Sequence, residues 1–178
     1  MYRHLEVFRE SLLISTRNVR DEYFNFRMAE VTEPRHLERV YCYELYHQLR
    51  NVLPSDFPFL VQNEIDKSNH PVIDGKPKPD FLFHIPERMD NESNLVIIEV
   101  KRESQTIAAI AQDLEKLIEF TNDYHYHMGI ALIFGNISEL KKSNIILKYK
   151  QVCEGHFDKV KLYFHNEVGT PSYEFSSI

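Results

Sequence analysis

The chain has 178 residues, 43% of them hydrophobic and 27% charged, with a formal net charge of −6. That length is one domain with room for a proper core, and no Gly/Ser linker, low-complexity tract or internal repeat divides it, so one domain over residues 1–178 is expected. The acidic balance argues against a protein that grips duplex DNA with its whole surface, because neutralisation of phosphates by Lys and Arg drives such binding.

From Tyr2 to about Met28, Leu5, Phe8, Leu12, Val19, Tyr23 and Phe26 recur at near-helical spacing with a polar gap at Ser15–Arg17, which predicts one or two helices. This extension, residues 1–31, either packs on the core or offers a dimer surface. Arg9 and Glu10 interrupt the apolar pattern of the N-terminus, unlike a signal peptide. No run reaches the length of a membrane span, so a cytoplasmic protein without membrane contact is expected.

Thr32-Glu33-Pro34-Arg35 predicts a helix start, with Thr32 as cap and Pro34 in the first turn, and the helix runs to about Val52 before Pro54. Its apolar stripe is Leu37, Val40, Tyr41, Leu45, Leu49 and Val52, and Glu44 lies within it. A carboxylate on a buried face needs a proton, a cation or a donor. Glu44 is therefore expected either at a cation site or paired with Arg50, His47 or a tyrosine, with Glu38, outside the stripe, held in reserve.

Phe59–Ile65 predicts the first strand. Residues 66–78 form a polar connection in which Asp74-Gly75 is a turn; Glu64 and Asp66 at the end of the first strand, and Lys76 and Lys78 in the connection, are weaker site candidates. Next come two β-forming runs, Phe81–Ile85 and Leu95–Ile98, joined by the turn-rich segment Pro86–Ser93, which predicts an antiparallel pair. Alternation puts Asp80 and Leu82 on one face of their strand, and Ile97, Glu99 and Lys101 on one face of the next. In an antiparallel pair the start of one strand meets the end of the other, so Asp80, Glu99 and Lys101 converge. Two carboxylates so placed, with the carbonyl of Val100, suit a hard cation such as Mg²⁺ or Mn²⁺. A lysine beside them can orient a water that attacks phosphorus and stabilise the charge that develops. The plainer alternative is a surface Glu-Lys pair with Asp80 as a turn residue.

Glu103-Ser104-Gln105 opens a helix with the inner face Ile107, Ile110, Ala111, Leu114, Leu117 and Ile118. Met128–Phe134, ending at Gly135, reads as a strand buried on both faces and parallel to the one before the helix. Ser138 caps a helix to Tyr149 or Val152, Lys159–Phe164 alternates as a last strand, and the polar tail from Glu167 is expected to be loosely held. Lys141, Lys142, Lys148 and Lys150 form a local basic cluster. His125 and His127 lack a second ligand pair at zinc spacing and read as surface or supporting residues. Cys42 and Cys153 match neither a zinc nor a redox spacing and are expected to be buried thiols in a reducing compartment.

Pro79-Asp80 and Glu99-Val100-Lys101, on adjacent strands between two helices, resemble the PD-(D/E)XK nuclease superfamily of restriction-endonuclease-like phosphodiesterases. The resemblance covers roughly residues 33–165 and implies an α/β fold with an αβββαβ core, a central mixed sheet flanked by helices, and an N-terminal helical extension. It implies a Mg²⁺-dependent nuclease hydrolysing nucleic acid, with DNA the expected substrate, in defence or repair, with Asp80, Glu99 and Glu44 at the metal and Lys101 assisting the water. It also implies that the helix after Lys101 presents a polar side chain, Gln105 or Gln112. The alternative is a catalytically inactive module of the same fold in a larger complex, and the substrate and specificity stay open.

Overall fold

In the computed structural model, residues 1–63, 79–88, 90 and 92–176 are described. The strands assemble into one mixed six-stranded sheet in the order β1 to β6: Leu60–Asn63, Phe81–His84, Asn94–Arg102, Met128–Phe134, Val160–His165 and Tyr173–Glu174. β1, β2 and β3 are antiparallel to one another, β3, β4 and β5 are parallel, and β6 returns antiparallel to β5. Helices α1 (Tyr2–Arg17), α2 (Asp21–Phe24) and α3 (Glu38–Val52) precede the sheet, α4 (Ile107–Asn122) joins β3 to β4, and α5 (Glu139–Val152) joins β4 to β5. Among the described residues no helix is long and apolar enough to cross a membrane.

Strand alternation divides the core into two layers. Val96, Ile98 and Val100 of β3 face α1 and α3 with Phe8, Leu12, Tyr41, Leu45 and Leu49; Ile97 faces α4 and α5 with Ile110, Leu114, Leu117, Ile145 and Tyr149. All seven residues of β4 are buried, the pattern of a parallel strand covered on both sides. Gly129 in that strand permits close packing of α4, since a Cβ there would lie 3.1 Å from Leu117 Cβ. Cys42 and Cys153 are free and buried, and burial pushes the Cys153 thiol up to about 12.

Three boundaries differ from the sequence expectation. Helix α3 begins at Glu38 rather than near Thr32, because Arg35 N donates to Phe26 O at 2.9 Å and Phe26 N to Arg35 O at 3.0 Å, a bridge that holds residue 35 extended. Helix α4 begins at Ile107 rather than Glu103: the Glu103 amide is taken by Phe134 O at 2.8 Å, and Thr106 Oγ1 caps the helix through Ala109 N at 3.1 Å. The tail is not loose. Besides β6, Ser172 is buried, its amide donating to Thr16 Oγ1 at 2.9 Å, with the two hydroxyls 3.1 Å apart, so the last strand is tied to the first helix. The extension packs on the core, with the Phe8 and Phe83 rings 4.7 Å apart edge to face. Glu64, Asp66, Asp74-Gly75, Lys76 and Lys78 lie outside the described residues.

Candidate functional site

The site lies where β2 begins and β3 ends. Phe81 pairs with Ile98 and Leu82 with Ile97, so one further step of the register sets Asp80 opposite Glu99. Both share the face of Leu82 and Ile97, toward α4. Asp80 Oδ2 accepts the Val100 amide at 2.7 Å, which pins the carboxyl against β3. The expected convergence of Asp80, Glu99 and Lys101 is present.

Glu99 is 3% exposed, and its Oε1 meets Lys116 Nζ of α4 in a close ion pair. Lys101 Nζ lies 3.3 Å from Glu38 Oε1, 3.4 Å from Asp113 Oδ2 of α4 and 3.1 Å from its neighbour's carbonyl, Val100 O. The lysine thus bridges the start of α3 and the middle of α4 around the end of β3. Four carboxyls, Asp80, Glu99, Glu38 and Asp113, face two ammoniums, Lys101 and Lys116, a surplus of two negative charges when all ionise. Glu38 Oε2 is buried without a hydrogen-bond partner, and Glu99 Oε1 and Asp113 Oδ2 have only an ammonium's charge beside them.

The protonation equilibria follow from burial first and from that surplus second. Burial, reinforced by the charge of Asp80 and opposed by Lys116, pushes Glu99 up to about 8. Burial likewise raises Asp80, Glu38 and Asp113, against the pull of Lys101. For Lys101, burial disfavours the charge, but Asp113, Asp80, Glu38 and Glu99 outweigh it and raise the lysine above its ordinary value. It is an ammonium at every physiological pH.

Glu44, expected at the cation site, is not one of the groups at Lys101. It is buried on another side of α3, accepts from Gln48 Nε2 at 2.9 Å and lies 3.7 Å from Arg20 Nε. The reserve residue, Glu38, is the glutamate that α3 brings to the site. Six residues separate the two, about 240° around the helix and about 9 Å along it, so one axis position cannot serve both roles. The alternative expectation of a paired Glu44 has the right form but different partners, Arg20 and Gln48.

Asp113 and Lys116 were not anticipated. They flank the apolar stripe of α4, one turn apart, where charged residues ordinarily read as solvated. The signal available was indirect: Glu99 and Lys101 point to the face that the following helix covers. Gln112 is exposed on α4, while Gln105 uses its backbone oxygen to accept Lys141 Nζ at 2.5 Å. His125 is exposed with φ 55°. Just beyond Lys101, Glu103 Oε2 pairs with His36 Nδ1 at 2.8 Å, and a Cβ on Gly135, whose φ is +114°, would overlap that pair.

The donor set is carboxylate and carbonyl oxygen, which suits a hard divalent cation. Among the described residues no three His, Cys, Asp or Glu side chains are grouped as a ready ligand set. No family model matches the chain, and no curated protein or solved structure matches it.

Proposed function

We propose that the chain is a Mg²⁺- or Mn²⁺-dependent nuclease of the PD-(D/E)XK type, with a restriction-endonuclease-like core running from α3 to β5. DNA is its expected substrate, in defence or repair. One observation carries this reading: Asp80 and Glu99 face each other across the β2–β3 pair on the side of Lys101, with more carboxyls than ammoniums buried around them. Magnesium uses one or two carboxylates and keeps several waters, the number that Asp80 and Glu99 provide. The Val100 carbonyl and Glu38 stand beside them as further oxygen donors.

A bound divalent ion would supply Lewis acidity and neutralise phosphate charge. The chain's own groups do the rest. Lys101 is held cationic by its carboxylates, so it cannot take a proton from water; its N–H groups orient the water and stabilise the phosphoryl oxygens. Asp113 and Glu38 fix that ammonium from two helices. In the hydrolysis one bond forms from the water oxygen to phosphorus and the bond from phosphorus to the 3′ oxygen breaks; the water gives up a proton to solvent, the 3′ oxygen takes one up and leaves as a hydroxyl, and a 5′-phosphate remains. Asp80→Ala and Lys101→Ala, assayed on linear, supercoiled and single-stranded DNA and on RNA with Mg²⁺, should each lower cleavage by about 100-fold or more. Unchanged cleavage in either would overturn the assignment.

A catalytically silent module is the second reading, and Lys116 favours it, since its ammonium already occupies the Glu99 carboxylate. Calorimetric titration with Mg²⁺ separates the two. The nuclease reading requires binding that Glu99→Gln abolishes; the silent module requires none.

A further inference from the structure

Away from the carboxylate site, α3 carries a second pattern. Arg39, Tyr43, Tyr46 and Arg50 follow at i, i+4, i+7 and i+11, which sets all four within about 60° of one another; Arg39, Tyr43 and Arg50 are exposed, and Tyr46 is half-buried with one side against the core. The tyrosines carry guanidiniums. Arg39 lies over the Tyr43 ring at 5.7 Å and donates Nε–H to its hydroxyl at 2.8 Å; Arg50 lies over the Tyr46 ring at 5.8 Å. Across from them, Arg20 lies over Tyr23 at 5.0 Å. Between α2 and α3 an open cleft of about 480 Å³ is walled by Tyr23 and Tyr43 and floored by Glu44 and Gln48. Tyr43 is 53% exposed, a large aromatic surface presented to solvent in a chain of net charge −6.

We propose that this stripe and cleft bind single-stranded nucleic acid, with bases stacked on the tyrosines and phosphates against Arg39 and Arg50. Aromatic faces interleaved with cations are the chemistry that holds unpaired strands, because every base has a π-face and duplex bases are not available to stack. The acids fit the same division. Glu44 is held by Gln48 and Arg20, and Glu22 is paired with Arg20 at 3.1 Å, so the cleft rejects phosphate and takes base edges, whose exocyclic amines a carboxylate accepts. From Arg39 to Arg50 the stripe is about 16 Å long, the span of about five stacked nucleotides. It starts beside Glu38, about 1.5 Å along the axis and about 100° around it, so a strand leaving the stripe at Arg39 turns about the start of α3 to reach the carboxylate site. This names the substrate of the proposed nuclease and rests on that reading only for where the strand is cut.

The test is anisotropy of a labelled oligothymidine of about 20 nucleotides and of the same strand in duplex, with EDTA present so that no metal chemistry contributes. The single strand should bind at least about tenfold more tightly than the duplex. Tyr43→Ala should weaken binding about 5- to 100-fold while Tyr43→Phe stays close to wild type, since stacking needs the ring. Arg39→Ala and Arg50→Ala should each reduce the salt dependence by about one phosphate contact. Lys148→Ala, on α5 at the other face of the sheet, serves as the charge control. The proposal is overturned if Tyr43→Ala and Tyr46→Ala weaken binding no more than Lys148→Ala, if the duplex binds as well, if neither probe binds, or if a polyglutamate peptide competes as strongly as the oligonucleotide. Normal strand binding by the tyrosine variants, with cleavage lost in Lys101→Ala, would sink this inference and leave the nuclease standing. Strand binding lost in Tyr43→Ala, with no cleavage by wild type, would do the reverse.

Discussion

Glu99 should make this protein less stable as the solution becomes more alkaline, against the usual trend for carboxylates. Its native value of about 8 lies above the ordinary 4.5, so between the two the folded state binds more protons than the unfolded one, and stability falls as pH rises. The contribution is present in full below the unfolded value and lost as pH rises through about 8. Each pH unit in that interval costs up to about 1.4 kcal/mol. His165 acts in the opposite direction: burial drives it down to about 4, so its effect is confined below its unfolded value near 6.5. The clean window is therefore about pH 6.5 to 8, over which Glu99 removes about 2 kcal/mol, a visible share of a stability of roughly 5–15 kcal/mol. Urea denaturation in EDTA, followed by far-UV circular dichroism, should show this decline in the wild type. Glu99→Gln, isosteric and uncharged, should flatten it and be the more stable protein at the alkaline end. Added Mg²⁺ should restore wild-type stability there by mass action and leave Glu99→Gln unmoved. A wild-type curve that is flat or rising across the window, or a Glu99→Gln curve with the same slope, would refute the account of the site's charge.

Other outcomes follow from the same geometry. Lys101→Met strands Glu38 and Asp113 without their cation and should cost about 2 kcal/mol near pH 8, measured by denaturant midpoint. Gly135→Ala puts a side chain at φ +114° onto the Glu103–His36 pair and should lower stability by at least about 2 kcal/mol, read as a fall in Tm. His165→Gln should remove about 3 kcal/mol of the acid-induced loss between about pH 6.5 and 4, since native His165 resists its proton there. Thr16→Val keeps the shape but leaves the buried Ser172 amide unpaired, at a cost of about 2 kcal/mol.

The sheet was legible because its strands are short β-branched and aromatic runs separated by turn chemistry, and because an antiparallel pair fixes which ends meet. That is why Asp80 and Glu99 could be set together from sequence. The helix glutamate was misassigned for a physical reason: an acid inside an apolar stripe announces burial, not what it is buried against. Glu44 faces α2 and Arg20, whose approach depends on the bridge between Phe26 and Arg35, a contact no local pattern encodes. The same bridge shortened α3 at its start. Asp113 and Lys116 escaped notice because helical spacing places them beside the apolar stripe, and only the packing of α4 over the end of β3 turns them inward. The tail misled because a two-residue strand carries almost no periodicity; what holds it is a hydroxyl 156 positions earlier in the chain.

That hydroxyl sets an order of events during synthesis. Thr16 leaves the ribosome 156 residues ahead of its partner at 172, so the first helix waits through synthesis of the sheet as far as β5 without the contact that secures it. Until then the edge of β5 stands open to any strand that reaches it, and a ribosome stalled before β6 would hold a nascent sheet with an adhesive rim.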